Sequence, residues 1–124
     1  MLRSLEQERA KYAWNCIQEV EKESGEIQEK YSSYVRRAAT LIQANGLPNT
    51  LAFYYNKKRE KGYKLLYKHI NDWDQIKKLT ENKNLLEWII SDASSIEVFK
   101  ATKEVIALLN WMKRFAEVKL KSEE

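Results

Sequence analysis

The chain has 124 residues, 44% of them apolar, with three glycines, one proline and one cysteine. That is enough to close one core, too few breakers for a many-turned β protein, and one thiol short of an internal disulfide, so a reducing, cytoplasmic compartment is expected. The net charge of +4 is uneven: residues 30–68 hold nine Lys/Arg and one acid, against four and seven before them and nine and ten after them. A basic surplus of this kind points to a polyanionic partner. No stretch approaches the roughly 20 apolar residues of a membrane helix, and the charged start MLRSLEQERAKYAW lacks the apolar core of a signal peptide.

In chain order, the spacing predicts a first helix over about Leu5–Glu23. Ala10, Ala13, Trp14, Ile17 and Val20 form its apolar stripe, and Ser4 with Gln7 makes a capping-box pattern. Ser24–Gly25 ends it. A second helix runs from about Ile27 to Ala44, with Ile27, Tyr31, Tyr34, Val35, Ala38, Leu41 and Ile42 inward. Asn45–Gly46 is its stop, and Pro48 suits the first turn of a third helix, roughly Pro48–Glu60, which Gly62 ends unless it is only a weak point in one longer helix. A fourth is expected over Tyr63–Leu79, with Tyr63, Leu66, Tyr67 and Ile70 inward. Asn84 with Glu87 caps a short fifth, Leu85–Ser91. Ser94 with Glu97 is a capping box that opens a long sixth, about Ser95–Leu120, with Val98, Thr102, Val105, Leu109, Met112 and Ala116 inward. The expected fold is therefore all-α, a compact bundle of about six helices in a single domain over 1–124, with residues 120–124 as a frayed tail.

Catalytic constellations are not assembled by this sequence. His69 is the one histidine, and beside lysines it reads as a partly exposed surface imidazole; Cys16, next to the core position Ile17, reads as a buried inert thiol. One His and one Cys cannot close a zinc site. Asp72 and Asp74 flank Trp73 and do not share a helix face. No Gly-rich phosphate loop or nucleophile elbow is present. The expectation is no catalytic residue, no metal and no cofactor.

The positive features are electrostatic. No acid occurs between Lys30 and Arg59. Arg36 and Arg37 lie off the apolar stripe of the second helix. Lys57, Lys58, Arg59 and Lys61 make a dense basic tip, and Lys61, Lys64 and Lys68 form a stripe that nothing on the same helix face neutralises. Such a surface suits counterion release from nucleic acid; a plain solvated lysine face is the alternative. Phe53, Tyr54 and Tyr55 span three angular positions of one helix, so at least one must leave the core. Trp73, Trp88 and Trp111 sit beside inward stripes, which reads as half-buried docking tryptophans.

RAKYAW, YSSYVRRAATLIQANGLPNTLAFYYNK and ALLNWMKRFAEVKL, in this order and spacing, resemble the small subunit of the type III-B (Cmr) CRISPR RNA-silencing complex over nearly the whole chain. The resemblance implies a non-catalytic all-α subunit of an antiviral ribonucleoprotein. It also implies copies stacked head to tail beside the backbone subunits, the large subunit as a further partner, and contact with guide RNA and target RNA. The positions it carries over are Arg36, Arg37, Lys57, Lys113 and Arg114; Lys58, Arg59, Lys61, Lys64 and Lys68 come from the charge pattern. An acidic first helix and a basic middle offer opposite charges for the stacking. Two rival readings remain: a helical protein–protein adaptor without nucleic-acid contact, and a stand-alone DNA-binding regulator. The regulator ranks last, because base-reading helices favour Arg, Asn and Gln over these lysines.

Overall fold

The computed structural model describes residues 4–121. Among them are seven helices and no strand: α1 (Leu5–Glu21), α2 (Gly25–Asn45), α3 (Leu47–Asn56), α4 (Lys61–Asn71), α5 (Asp74–Thr80), α6 (Leu85–Ser91) and α7 (Ser95–Lys119). Helix α7 is the spine. Helices α1, α2 and α5 pack on it, α4 lies on α2, and α3 is held by α2, α4 and α6. The all-α bundle read from the sequence is the fold observed.

Local chemistry sets most boundaries. Ser4 accepts from the Gln7 amide at 3.1 Å while Gln7 Oε1 accepts from the Ser4 amide at 3.0 Å, and Ser94 and Glu97 repeat that box at the start of α7. Helix α1 stops at Glu21 with Lys22 as its cap, short of the expected Ser24–Gly25; Ser24 instead caps α2, whose first residue is Gly25, by accepting from the Ile27 amide. Gly46 stops α2 at φ +84°, a conformation that side chains with a Cβ rarely adopt, and donates to the Ile42 carbonyl at 2.7 Å. Pro48 then sits in the first turn of α3, where its missing N–H costs nothing. Asn84 caps α6 by accepting from the Glu87 amide.

Besides the third helix, which ends at Asn56 and not at the expected Glu60, two boundaries differ from expectation. The helix expected over Tyr63–Leu79 is two helices, broken at Asp72–Trp73. No glycine or proline marks the break. Ile70, Trp73 and Ile76 are all buried and keep helical spacing across it. The Trp73 indole donates to Glu104 of α7 at 2.9 Å, and α5 turns to pack on α7. The second difference is Gly62, which does not end α3 but lies in the first turn of α4. A Cβ there would stand 2.9 Å from Tyr34 Cε2, so glycine is what lets α4 approach α2 this closely.

The core runs through all seven helices, with Tyr31, Tyr54, Leu66, Ile70, Leu108 and Met112 among its fully buried side chains. Three tryptophans depart from expectation. Trp14, placed on the α1 stripe, is 37% exposed, while Trp73 and Trp88, read as half-buried docking residues, are each 4% exposed. Trp111 is half-buried and donates to Glu6. Of the expected frayed end, residues 122–124 lie outside the described residues; Leu120 is buried.

Candidate nucleic-acid interface

All ten expected basic residues are exposed, but they do not form one continuous patch. The first group is the turn between α3 and α4. Lys57 caps α3, Lys58 and Arg59 follow in the turn, and none of the three has a carboxylate within 4 Å among the described residues. Lys58 lies 4.0 Å above the Tyr55 ring, which holds the ammonium outward beside an exposed aromatic. The single acid of this region, Glu60, turns away from the tip. It accepts a hydrogen bond from Tyr34 and stands 3.9 Å from Lys30. The removal of acid read from the sequence is therefore completed by the fold.

Arg36 and Arg37 sit on the outer face of α2, and each guanidinium Nε donates to a carbonyl one turn back, Ser32 and Ser33. Neither meets a carboxylate within 4 Å among the described residues. Arg37 also lines a cleft between α2, α3 and the start of α4, with Tyr34, Asn45, Asn49, Phe53 and Tyr63.

The α4 lysine stripe is corrected by its neighbour helix. Lys61 pairs with Glu23 at 2.8 Å and Lys68 with Glu19 at 3.4 Å, both on or just beyond α1, so only Lys64 is left without an acid among the described residues. The neutralising groups are on another helix, where no single-helix reading looks for them. The same pairs bear on the expected acidic face of α1. Glu19 and Glu23 are engaged within the chain, and Glu21 pairs with Lys119 at 3.2 Å. Lys113 and Arg114 stand apart on α7. Arg114 lies 5.9 Å from the Trp111 ring and lines a groove with Glu6 and Arg9, away from the α3–α4 tip.

Reactive groups are packed away. His69 is not a surface imidazole: it is 2% exposed, its Nδ1 lies 2.8 Å from the Tyr31 hydroxyl and its Nε2 3.2 Å from Glu19. Burial lowers its pKa below the usual value, against the opposing pull of Glu19. The neutral ring fits both partners, accepting from Tyr31 and donating to Glu19. Cys16 is the buried thiol expected, and burial pushes it up to about 12. No group of three or more His, Cys, Asp or Glu side chains converges at metal distance among the described residues. No described helix is long and apolar enough to cross a membrane.

Comparison with known proteins gives the frame for this geometry. Residues 5–119 match the family model described as CRISPR-associated protein (Cas_Cmr5). The chain belongs to the Cmr5 family. A crystal structure of a CRISPR-associated Cmr5 family protein from Thermus thermophilus superposes with a TM-score of 0.78 at 25% identity, covering 96% of this chain and 100% of that one. The resemblance read from the sequence, to the small subunit of the Cmr complex, is borne out at the level of the family. In this Cmr5-family chain the three quoted motifs fall on α1, on α2 with α3, and on α7, the elements that build the spine and carry the basic tip.

Proposed function

We propose that the chain is a non-catalytic small subunit of a cytoplasmic type III-B CRISPR ribonucleoprotein in antiviral defence, stacking head to tail and contacting guide–target RNA through basic residues. The observation that carries this is the α3–α4 tip: three adjacent cations, Lys57, Lys58 and Arg59, with the only local acid turned inward onto Tyr34 and Lys30. Arg36, Arg37 and Lys64 extend that surface. Lys61 and Lys68 reach it already paired with acid, and Lys113 with Arg114 form a second contact point. A protein that grips paired RNA without choosing sequence needs phosphate contacts rather than base readout. A non-catalytic role, without cofactor or metal, is supported by the buried, doubly bonded His69 and the buried Cys16.

The backbone and large subunits of the complex and further copies of this chain are the proposed protein partners. Exposed apolar side chains at both ends of α7, Ile96 and Phe99 at one and Val118 at the other, favour protein docking there. A pure adaptor would use those ends alone. Salt separates the two readings. With Lys57, Lys58 and Arg59 reversed to Glu in the assembled complex, RNA affinity is expected to fall. The slope of log affinity on log salt should shrink by about 0.7–0.9 for each phosphate that the tip no longer neutralises. An unchanged affinity and slope would remove RNA contact from the tip and leave the adaptor.

A further inference from the structure

The cleft between α2, α3 and the start of α4 has a volume of about 430 Å³, within the range of small-ligand sites. It combines an aromatic wall, a polar rim and one cation. One wall is aromatic: Tyr34 and Tyr63 stack at 3.7 Å and 6°, Tyr54 lies behind Tyr63, and Phe53 meets Tyr63 edge-on while remaining 44% exposed. The rim is polar. Asn45 and Asn49 are exposed, with the Asn49 amide donating to the Asn45 carbonyl, and Arg37 stands at the edge with no acid partner among the described residues. No carboxylate is among the described residues that line the cleft. The buried Tyr54 hydroxyl neither donates nor accepts a hydrogen bond among the described residues, although buried hydroxyls are nearly always paired.

We propose that this cleft takes one unstacked nucleotide of a bound RNA, its base on the Phe53 ring and its phosphate on Arg37. This rests on the RNA contact proposed above and deepens it. An aromatic side chain of a neighbouring protein could fill the apolar wall, but it would leave the Arg37 charge unanswered. A nucleotide answers both the ring and the cation, and its polar edge meets the rim amides. Stacking on an aromatic side chain is tolerant of base identity. The cleft would therefore hold a strand in place without selecting its sequence.

The test uses adenosine 5′-monophosphate and inorganic phosphate as probes on the folded protein, followed by NMR of the aromatic rings. AMP is expected to shift the Phe53, Tyr34 and Tyr63 resonances in a saturable way, and phosphate alone to leave them in place. Phe53→Ala should weaken AMP binding about fivefold or more, Phe53→Trp should retain it, and Arg37→Gln should weaken it with the fold intact by circular dichroism. In the assembled complex, ultraviolet cross-linking should join RNA to the peptide carrying Phe53. Ring resonances untouched by AMP, or a cross-link from this peptide to protein instead of RNA, would overturn the proposal. If Phe53→Ala leaves RNA affinity intact while reversal of Lys57, Lys58 and Arg59 lowers it, the cleft is wrong and the basic surface stands. If neither changes it, both fall.

Discussion

Gly62 shows how one atom sets the spacing of two helices. It has ordinary helical geometry, so alanine would gain about 1 kcal/mol of helix propensity. The added Cβ would meet Tyr34 at 2.9 and 3.3 Å, on a ring already stacked against Tyr63 and bonded to Glu60. Overpacking of this kind costs about 1–3 kcal/mol. Gly62→Ala is thus expected to lower stability by about 1 kcal/mol net, read as a lower urea midpoint; an unchanged or raised midpoint would show that Tyr34 yields freely. His69 offers a pH prediction. Its folded pKa is lowered by burial, so below the ordinary value of 6.5 the unfolded chain takes up a proton that the folded chain refuses. Stability from this group is full above that pH and is lost as pH falls from it towards the lower folded value. As the one histidine, His69 gives a single imidazole titration by NMR, expected below 6.5; a midpoint at or above that value would contradict the buried ring. Neither residue was legible in the sequence. The neighbours that decide them, Tyr34 for Gly62 and Tyr31 and Glu19 for His69, lie on helices distant in the chain.

At the scale of the element, the ends of helices were readable where a side chain or a glycine sets them. Ser4, Asn84, Ser94 and Gly46 act within a few residues of their own position, so sequence spacing suffices. The break at Asp72–Trp73 was not readable, because the indole bond to Glu104 that accompanies it reaches across to α7. The same distinction governs the candidate interface. The Lys57–Arg59 tip was legible because the absence of acid is a property of contiguous sequence. The partial neutralisation of Lys61 and Lys68 was not, because Glu23 and Glu19 come from the region of α1. The cleft was half legible: three adjacent aromatics could not share one core, yet only the packing of α2 against α3 puts Arg37 beside Phe53. The α7 cap gives a direct test at this scale. Ser94→Ala removes the oxygen that accepts from the Glu97 amide and dismantles the box, and should destabilise the protein by about 1 kcal/mol. A thermal melt within error of the parent would mean that packing of α7 alone holds its first turn.

For the whole molecule, α7 carries exposed apolar side chains at both ends, which bears on the proposed stacking. Phe99 and Val118, 61% and 79% exposed, are nineteen residues apart on one helix, about 29 Å at 1.5 Å per residue. Ile96 joins Phe99 near one end, while Trp14, with the Lys119 ammonium 3.9 Å over its ring, lies near Val118 at the other. Two different apolar ends are what a head-to-tail stack requires, since each junction joins unlike surfaces. Apolar contact becomes the better candidate for the junction than charge, because Glu19, Glu21 and Glu23 are already paired within the chain. Phe99→Asp and Val118→Asp should each change monomer stability by no more than about 0.5 kcal/mol at such exposed sites. Each alone should reduce the complex to a single copy of this subunit, counted by native mass spectrometry. Mixed together, the two variants should restore a junction, because each keeps the end that the other has lost, and the stack should stop at two copies. An isologous pairing, in which one patch meets itself, predicts instead that only one variant fails and that mixing rescues nothing. That outcome would reject head-to-tail stacking while leaving the basic tip untouched.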